Sequence, residues 1–95
     1  MTVKAIVAHH VADYDEWHRV FEEHGEVRRQ HSAEGHVIHR GVADPNQIVV
    51  VNDFPTAEQA RAFMADPSLP AAMERAGVDS EPAMYLVEQA EDARY

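Results

Sequence analysis

Apolar and polar positions change period several times along the chain, and the order of those changes predicts the fold. Val3 to Val11 is rich in β-formers, with apolar side chains on both parities. Asp13 then reads as a helix N-cap with Glu16 as its capping-box partner, opening a helix that runs to about His31. Gly35 breaks that pattern, and Val37 to Arg40 reads as a second strand. Asp44-Pro45-Asn46 has turn chemistry, and Ile48 to Val51 is the clearest strand in the sequence. Thr56 and Gln59 form another capping box, for a helix through Phe63 and Met64 that stops before Pro67. Ser68 can cap one more short helix, which Gly77 terminates. A last strand runs from Ala83 to Gln89, and the polar tail after it is expected to fray.

The order β-α-β-β-α-β predicts an α+β, ferredoxin-like domain: a four-stranded antiparallel sheet with the helices on one face. The same strands raise a difficulty. Ile48 and Val50 point one way while Val49 and Val51 point the other; Val3, Ala5 and Val7 likewise oppose Ile6 and Ala8. Strands that are apolar on both faces are covered on both faces, and helices on one side cover only one. A second copy of the same sheet is the economical cover, giving a homodimer. Length points the same way, since 95 residues make room for one domain, residues 1–95, with a core that is marginal on its own.

Composition narrows the chemistry. Cysteine is absent, which excludes disulfides and thiolate metal sites. Apolar runs are only a few residues long, so no membrane span is expected, and the N-terminal stretch is too short for a signal peptide; a cytoplasmic protein is the expectation. Eight basic against seventeen acidic residues give a net charge of −9, which would repel a phosphate backbone, so nucleic acid is not an expected partner. No glycine-rich phosphate loop and no serine in a nucleophile elbow is present.

The first helix carries the most chemical information. At about 100° per residue, Tyr14, Val20, Phe21 and Val27 gather around Trp17, with Arg19, Glu22, Glu23 and Glu26 opposite. His24 falls near the middle of that apolar arc, flanked by Arg28 and His31. A histidine there costs free energy unless its ring nitrogens are bonded. It is either a satisfied core histidine or a proton shuttle in a pocket wall. The hairpin supplies a second group: with a symmetric Asp44–Asn46 turn His39 pairs with Val50, Asn52 becomes its diagonal neighbour, and His36 faces Asp53. His39 and Asn52 would then be donors suited to an oxyanion or enolate. Seven histidines raise the question of a metal, but their spacings form no obvious ligand set; His9 and His10, for example, point to opposite faces of one strand.

Several of these segments together resemble a known group. Val11-x-Asp13-Tyr14-x-x-Trp17-x-x-x-Phe21, Arg40 with Asp44-Pro45-Asn46, Val50 to Phe54, Ala60-x-x-Phe63, Leu69-x-x-x-Met73-x-x-Ala76-Gly77-Val78 and Pro82 are similar to the small dimeric α/β-barrel proteins. That superfamily includes antibiotic-biosynthesis monooxygenase-like proteins and short bacterial chains labelled cyclases. The resemblance covers nearly the whole chain and implies the dimeric barrel. Among its members are cofactor-free oxygenases, cyclases, isomerases and haem proteins. The oxygenases use an asparagine on the third strand with a tryptophan four positions later; Asn52 matches the first, whereas position 56 is Thr56.

These observations lead to one expectation and its rivals. The expected function is a homodimeric enzyme without cofactor or metal, acting on an aromatic or polyketide-like molecule by cyclisation, isomerisation or oxygenation. His24, His39 and Asn52 are the candidate catalytic groups; Trp17 and Phe21 would line the substrate site, and Arg28 or Arg40 would steady an anionic group. The rivals are a dimer that binds a small ligand without turnover, and a metal- or haem-dependent member of the same superfamily.

Overall fold

A computed structural model describes residues 2–95. In chain order its elements are β1 (Val3–His10), α1 (Tyr14–Glu23), α2 (Gly25–Gln30), β2 (Gly35–Arg40), β3 (Gln47–Phe54), α3 (Ala57–Met64), α4 (Ser68–Arg75) and β4 (Ala83–Glu88). The strands form one antiparallel sheet in the order β2-β3-β1-β4. This is the ferredoxin-like α+β arrangement read from the sequence, with each helical crossover split in two. No helix among the described residues is long and apolar enough to cross a membrane.

Alternation along β1 and β3 decides which side chains meet the helices. Val3, Ala5, Val7 and His9 are buried, and so are Ile48, Val50, Asn52 and Phe54, whereas the residues between them are only partly covered. The buried set packs in two clusters. One gathers Val11, Trp17, Val20, Ile48, Val50, Ala72 and Ala76 beneath α1 and α4. The other gathers Val3, Ala5, Phe54, Ala60, Phe63 and Leu69 beneath α3. Val37, Tyr85 and Val87, by contrast, stand exposed on the opposite face, beside the half-covered Ile6, Val49 and Val51.

Local chemistry explains most boundaries and three departures from expectation. Asp13 does cap α1, accepting from the Asp15 amide at 3.1 Å, but Glu16 turns outward to Arg19 and leaves the capping box open. The single helix expected to reach His31 breaks at His24, where Gly25 weakens helical preference and begins α2. Ser68 does not cap α4. Asp66 takes that part, accepting from the Ser68 amide at 2.9 Å. Thr56 caps α3 as expected, accepting from the Gln59 amide at 3.2 Å, and Gly77 ends α4 with a left-handed φ of 78°.

The hairpin register also differs by one residue. His39 pairs with Val49, not Val50, and His36 lies opposite Asn52, not Asp53. The reason lies at Gly41, whose amide donates to Gln47 O at 2.7 Å and closes the loop one residue earlier than a symmetric Asp44–Asn46 turn would. Only glycine permits this closure, since a Cβ at position 41 would stand 2.4 Å from the Asp44 carbonyl oxygen. A shift of one residue turns every β2 side chain to the other face. His39 therefore leaves the face that holds Asn52, and His36 joins it. Asp53 pairs with Lys4 instead, at 2.5 Å.

Candidate functional site

A cavity opens at the seam between the two core clusters. Val7 and Val50 form its floor, Trp17, Val20 and Phe21 one wall, and Phe63, Leu69, Ala72 and Met73 the other. The free space is small, about 50 Å³, room for a few water molecules. A ring system enters only if a wall turns, and the half-buried Phe21 and Met73 are the walls able to do so. Trp17 stacks on Phe21 with centroids 5.1 Å apart, and the edge of His9 meets Trp17 at 5.8 Å.

Polar groups enter this apolar space at named points. Asn52 is 2 % exposed; its amide nitrogen donates to Ala5 O at 3.2 Å, while its Oδ1 has no partner. His9 is 4 % exposed and its Nδ1 also lacks a partner. Because His9 lies four residues beyond Ala5, which pairs with Asn52, these two orphaned groups sit roughly 13 Å apart along the strands. Buried polar atoms without partners are rare and costly. Burial pushes the His9 pKa below its ordinary value, so the ring is neutral at neutral pH.

His24, at the junction of α1 and α2, lines the same cavity. Its Nε2 lies 2.9 Å from Ser68 Oγ. The Ser68 backbone amide donates to the Asp66 carboxylate at 2.9 Å, and that carboxylate lies 2.8 Å from His31 Nε2. Nε2 is thus the ring nitrogen of His24 that Ser68 engages. Burial first, then the positive charge of Arg28, lowers the pKa of His24. Bonds from His31 and Ser68 hold the Asp66 carboxyl far below the usual carboxylate range. His24 thus meets Ser68 at the cavity, and the half-buried Asp66–His31 pair lies beyond it, held to Ser68 through the backbone amide.

Arg28 is 7 % exposed, with its guanidinium carbon 3.7 Å above the centre of the Phe21 ring. Burial, followed by the charge of Arg29, pushes its pKa down to about 10. Gly25 makes room for it, since a Cβ there would approach Arg28 Nη2 to 3.2 Å. His36 touches the same Phe21 ring edge-on at 4.9 Å.

Five of the seven residues singled out in the sequence therefore line one cavity: Trp17, Phe21, His24, Arg28 and Asn52. The other two do not. His39 faces the opposite side of the sheet because of the register, and Arg40 lies over Tyr14 at 3.9 Å and donates to Pro45 O at 2.8 Å. Sequence reasoning missed His9, although its strand parity with Val3, Ala5 and Val7 was the signal. It also missed Ser68, Asp66 and His31 as a connected set, and no local signal reveals contacts across 35 and 44 positions. Among the described residues no group of three or more His, Asp or Glu is placed to hold a metal ion.

Comparison with solved structures adds the fold relationship. A protein described as antibiotic biosynthesis monooxygenase superposes with a TM-score of 0.69 at 15% identity, over 94% of this chain and 99% of that one. SnoaB from Streptomyces nogalater, a cofactor-independent oxygenase, gives 0.70 at 17% identity over 94% and 95%. The chain has the antibiotic biosynthesis monooxygenase fold. Rv0793 from Mycobacterium tuberculosis shares this fold too, at 0.63 and 7% identity over 99% and 100%. Neither a scan against protein-family models nor a search of the curated proteins finds a match. At these identities the likeness extends to the fold, and the chemistry has to be argued from the cavity.

Proposed function

We propose that this protein is a small homodimeric enzyme that works without a bound cofactor. It transfers protons on an aromatic or polyketide-like molecule held in the cavity beneath α1, α2 and α4. The observation that carries the reading is His24, whose burial and the neighbouring Arg28 charge favour the neutral ring, set in the cavity wall with Ser68 Oγ 2.9 Å from its Nε2. A neutral imidazole set in an apolar wall suits the removal of an acidic C–H proton. His24 would take that proton, and the second N–H of Asn52 Nδ2, whose first donates to Ala5 O, would serve the enolate oxygen. The enolate then closes a ring or is reprotonated elsewhere, so that the product is an isomer. In the oxygenating variant the enolate reduces dioxygen, a CH₂ group becomes a carbonyl, and one water leaves. The likeness to SnoaB supports that variant. Thr56 weighs against it: it is an exposed cap of α3, where the oxygenases this chain resembles place a tryptophan.

The open face of the sheet supports the dimer. Ile6, Val37, Val49, Val51, Tyr85 and Val87 form an apolar surface that no helix covers, and a second sheet of the same kind fits it.

The test is incubation with a tricyclic phenolic polyketide in air, following dissolved oxygen and product mass. Proton transfer gives a product of unchanged mass with no oxygen uptake; oxygenation consumes one dioxygen per turnover. Either activity should fall about 100-fold or more in His24→Gln. A substrate-dependent change in Trp17 fluorescence with no turnover at all would replace the enzyme by a ligand-binding protein.

A further inference from the structure

We infer that the cavity selects ligands carrying a carboxylate on an aromatic body, with Arg28 as the counter-ion. This deepens the reading above and rests on the cavity being the ligand site. Arg28 is the single formally charged residue in the cavity lining, which contains no Asp or Glu. That is notable in a chain with seventeen acidic residues and a net charge of −9. Arg28 as a whole residue is more than nine-tenths buried and its head borders the groove, yet no carboxylate among the described residues forms an ion pair with it; the arginine ion pairs belong to Arg19, Arg29 and Arg94. The acids closest in role are engaged elsewhere: Asp66 holds His31 and Ser68, Glu26 holds Arg29, and Asp53 holds Lys4. Only Glu34 shares the solvent-facing groove beside Arg28, and it makes no ion pair with it.

A largely covered cation without a carboxylate partner loses part of its hydration, and an anion placed beside it would restore the compensation. Stacking on Phe21 offsets part of that cost and fixes the plane of the guanidinium, but it leaves the N–H donors free. Those donors match a carboxylate, which can take two parallel N–H bonds. Phe21 links the two halves of the ligand, because its ring carries Arg28 on one side and stacks with Trp17 in the apolar wall. An aromatic acid would therefore place its ring against Trp17 and Phe21 and its carboxylate on Arg28. Neutral His24 leaves the anion no competing cation within the lining.

Trp17 is the chain's one tryptophan and lines the cavity, so its fluorescence reports binding directly. The probes are benzoate, its neutral isostere benzamide, and phenol, all at neutral pH. Benzoate should bind at least about tenfold tighter than either neutral probe. In Arg28→Met that preference should shrink to within about twofold while benzamide binds as before, and Arg28→Lys should keep part of it. Equal affinity for benzoate and benzamide, or a preference that survives Arg28→Met, would overturn the inference. So would a lack of any response to benzoate. Tighter binding of phenol than of benzoate would likewise overturn it. Anion preference without turnover of any substrate would leave this inference standing and remove the catalytic one; turnover of a neutral substrate with no such preference would do the reverse.

Discussion

The two faces of the sheet are made from the same strands, yet their polar and apolar groups are distributed against expectation. The face covered by helices holds the buried His9 and Asn52, with an unpartnered polar atom on each. The uncovered face is lined by Ile6, Val49, Val51, Val37, Tyr85 and Val87. A sheet built for stability alone would keep polar groups off its covered side. The difference teaches that the covered side carries polar groups at a cost in stability, while the uncovered side leaves apolar side chains without cover. His9 and His10 show the contrast in adjacent residues. Burial lowers the pKa of His9, whereas bonds to Asp79 at 2.6 Å and to Asp44 at 3.0 Å raise that of His10.

The largest effect should separate the faces by truncation. Ile48 is fully buried on the covered face, and Ile48→Ala should cost about 2–5 kcal/mol by urea denaturation at any protein concentration. Ile6→Ala, on the uncovered face, should cost clearly less in dilute protein and approach that figure only where a dimer forms. An Ile6→Ala cost that ignores a hundredfold change in concentration would break the idea of a partner on that face.

A smaller effect sharpens the account of the covered face itself. His9→Leu removes an orphaned polar atom and should raise stability by about 1 kcal/mol. His24→Leu removes a made bond to Ser68 and should lower it by a similar amount. Melting temperatures of the two variants, measured side by side, check the signs. Two losses would mean that the His9 ring is held by its contact with Trp17 and not tolerated at a cost.

The smallest effect is in pH. His9 and His24 have folded pKa values below the ordinary 6.5, so the unfolded chain binds more protons below that value. Their contribution to stability is complete above pH 6.5 and is lost as pH falls through and below it. His10 acts in the opposite sense, since its raised pKa makes its contribution complete below 6.5 and lost as pH rises through the folded value. Melting temperatures between about pH 5 and 8 should therefore show a weaker acid-side fall in His9→Leu. A weaker alkaline-side fall should appear in His10→Gln.

Much of this molecule was determined by sequence alone, because the deciding interactions are local. Caps at Asp13 and Thr56, the left-handed Gly77 and the period of two along β1 and β3 depend on neighbours a few residues away. The helical arc likewise brought Trp17, Phe21, His24 and Arg28 together, because helical spacing of itself puts them on one side. Where a single residue of backbone geometry was decisive, tertiary structure took over. The close approach of Asp44 O to Gly41 set the hairpin register and turned His39 away, and Gly25 split the first helix and admitted the Arg28 guanidinium. The contacts of His24 with Ser68 and of His31 with Asp66 join the first helices to the start of α4 across 44 and 35 positions. Periodicity fixes which face of its own element a side chain occupies, but the group opposite that face is chosen only when the elements pack.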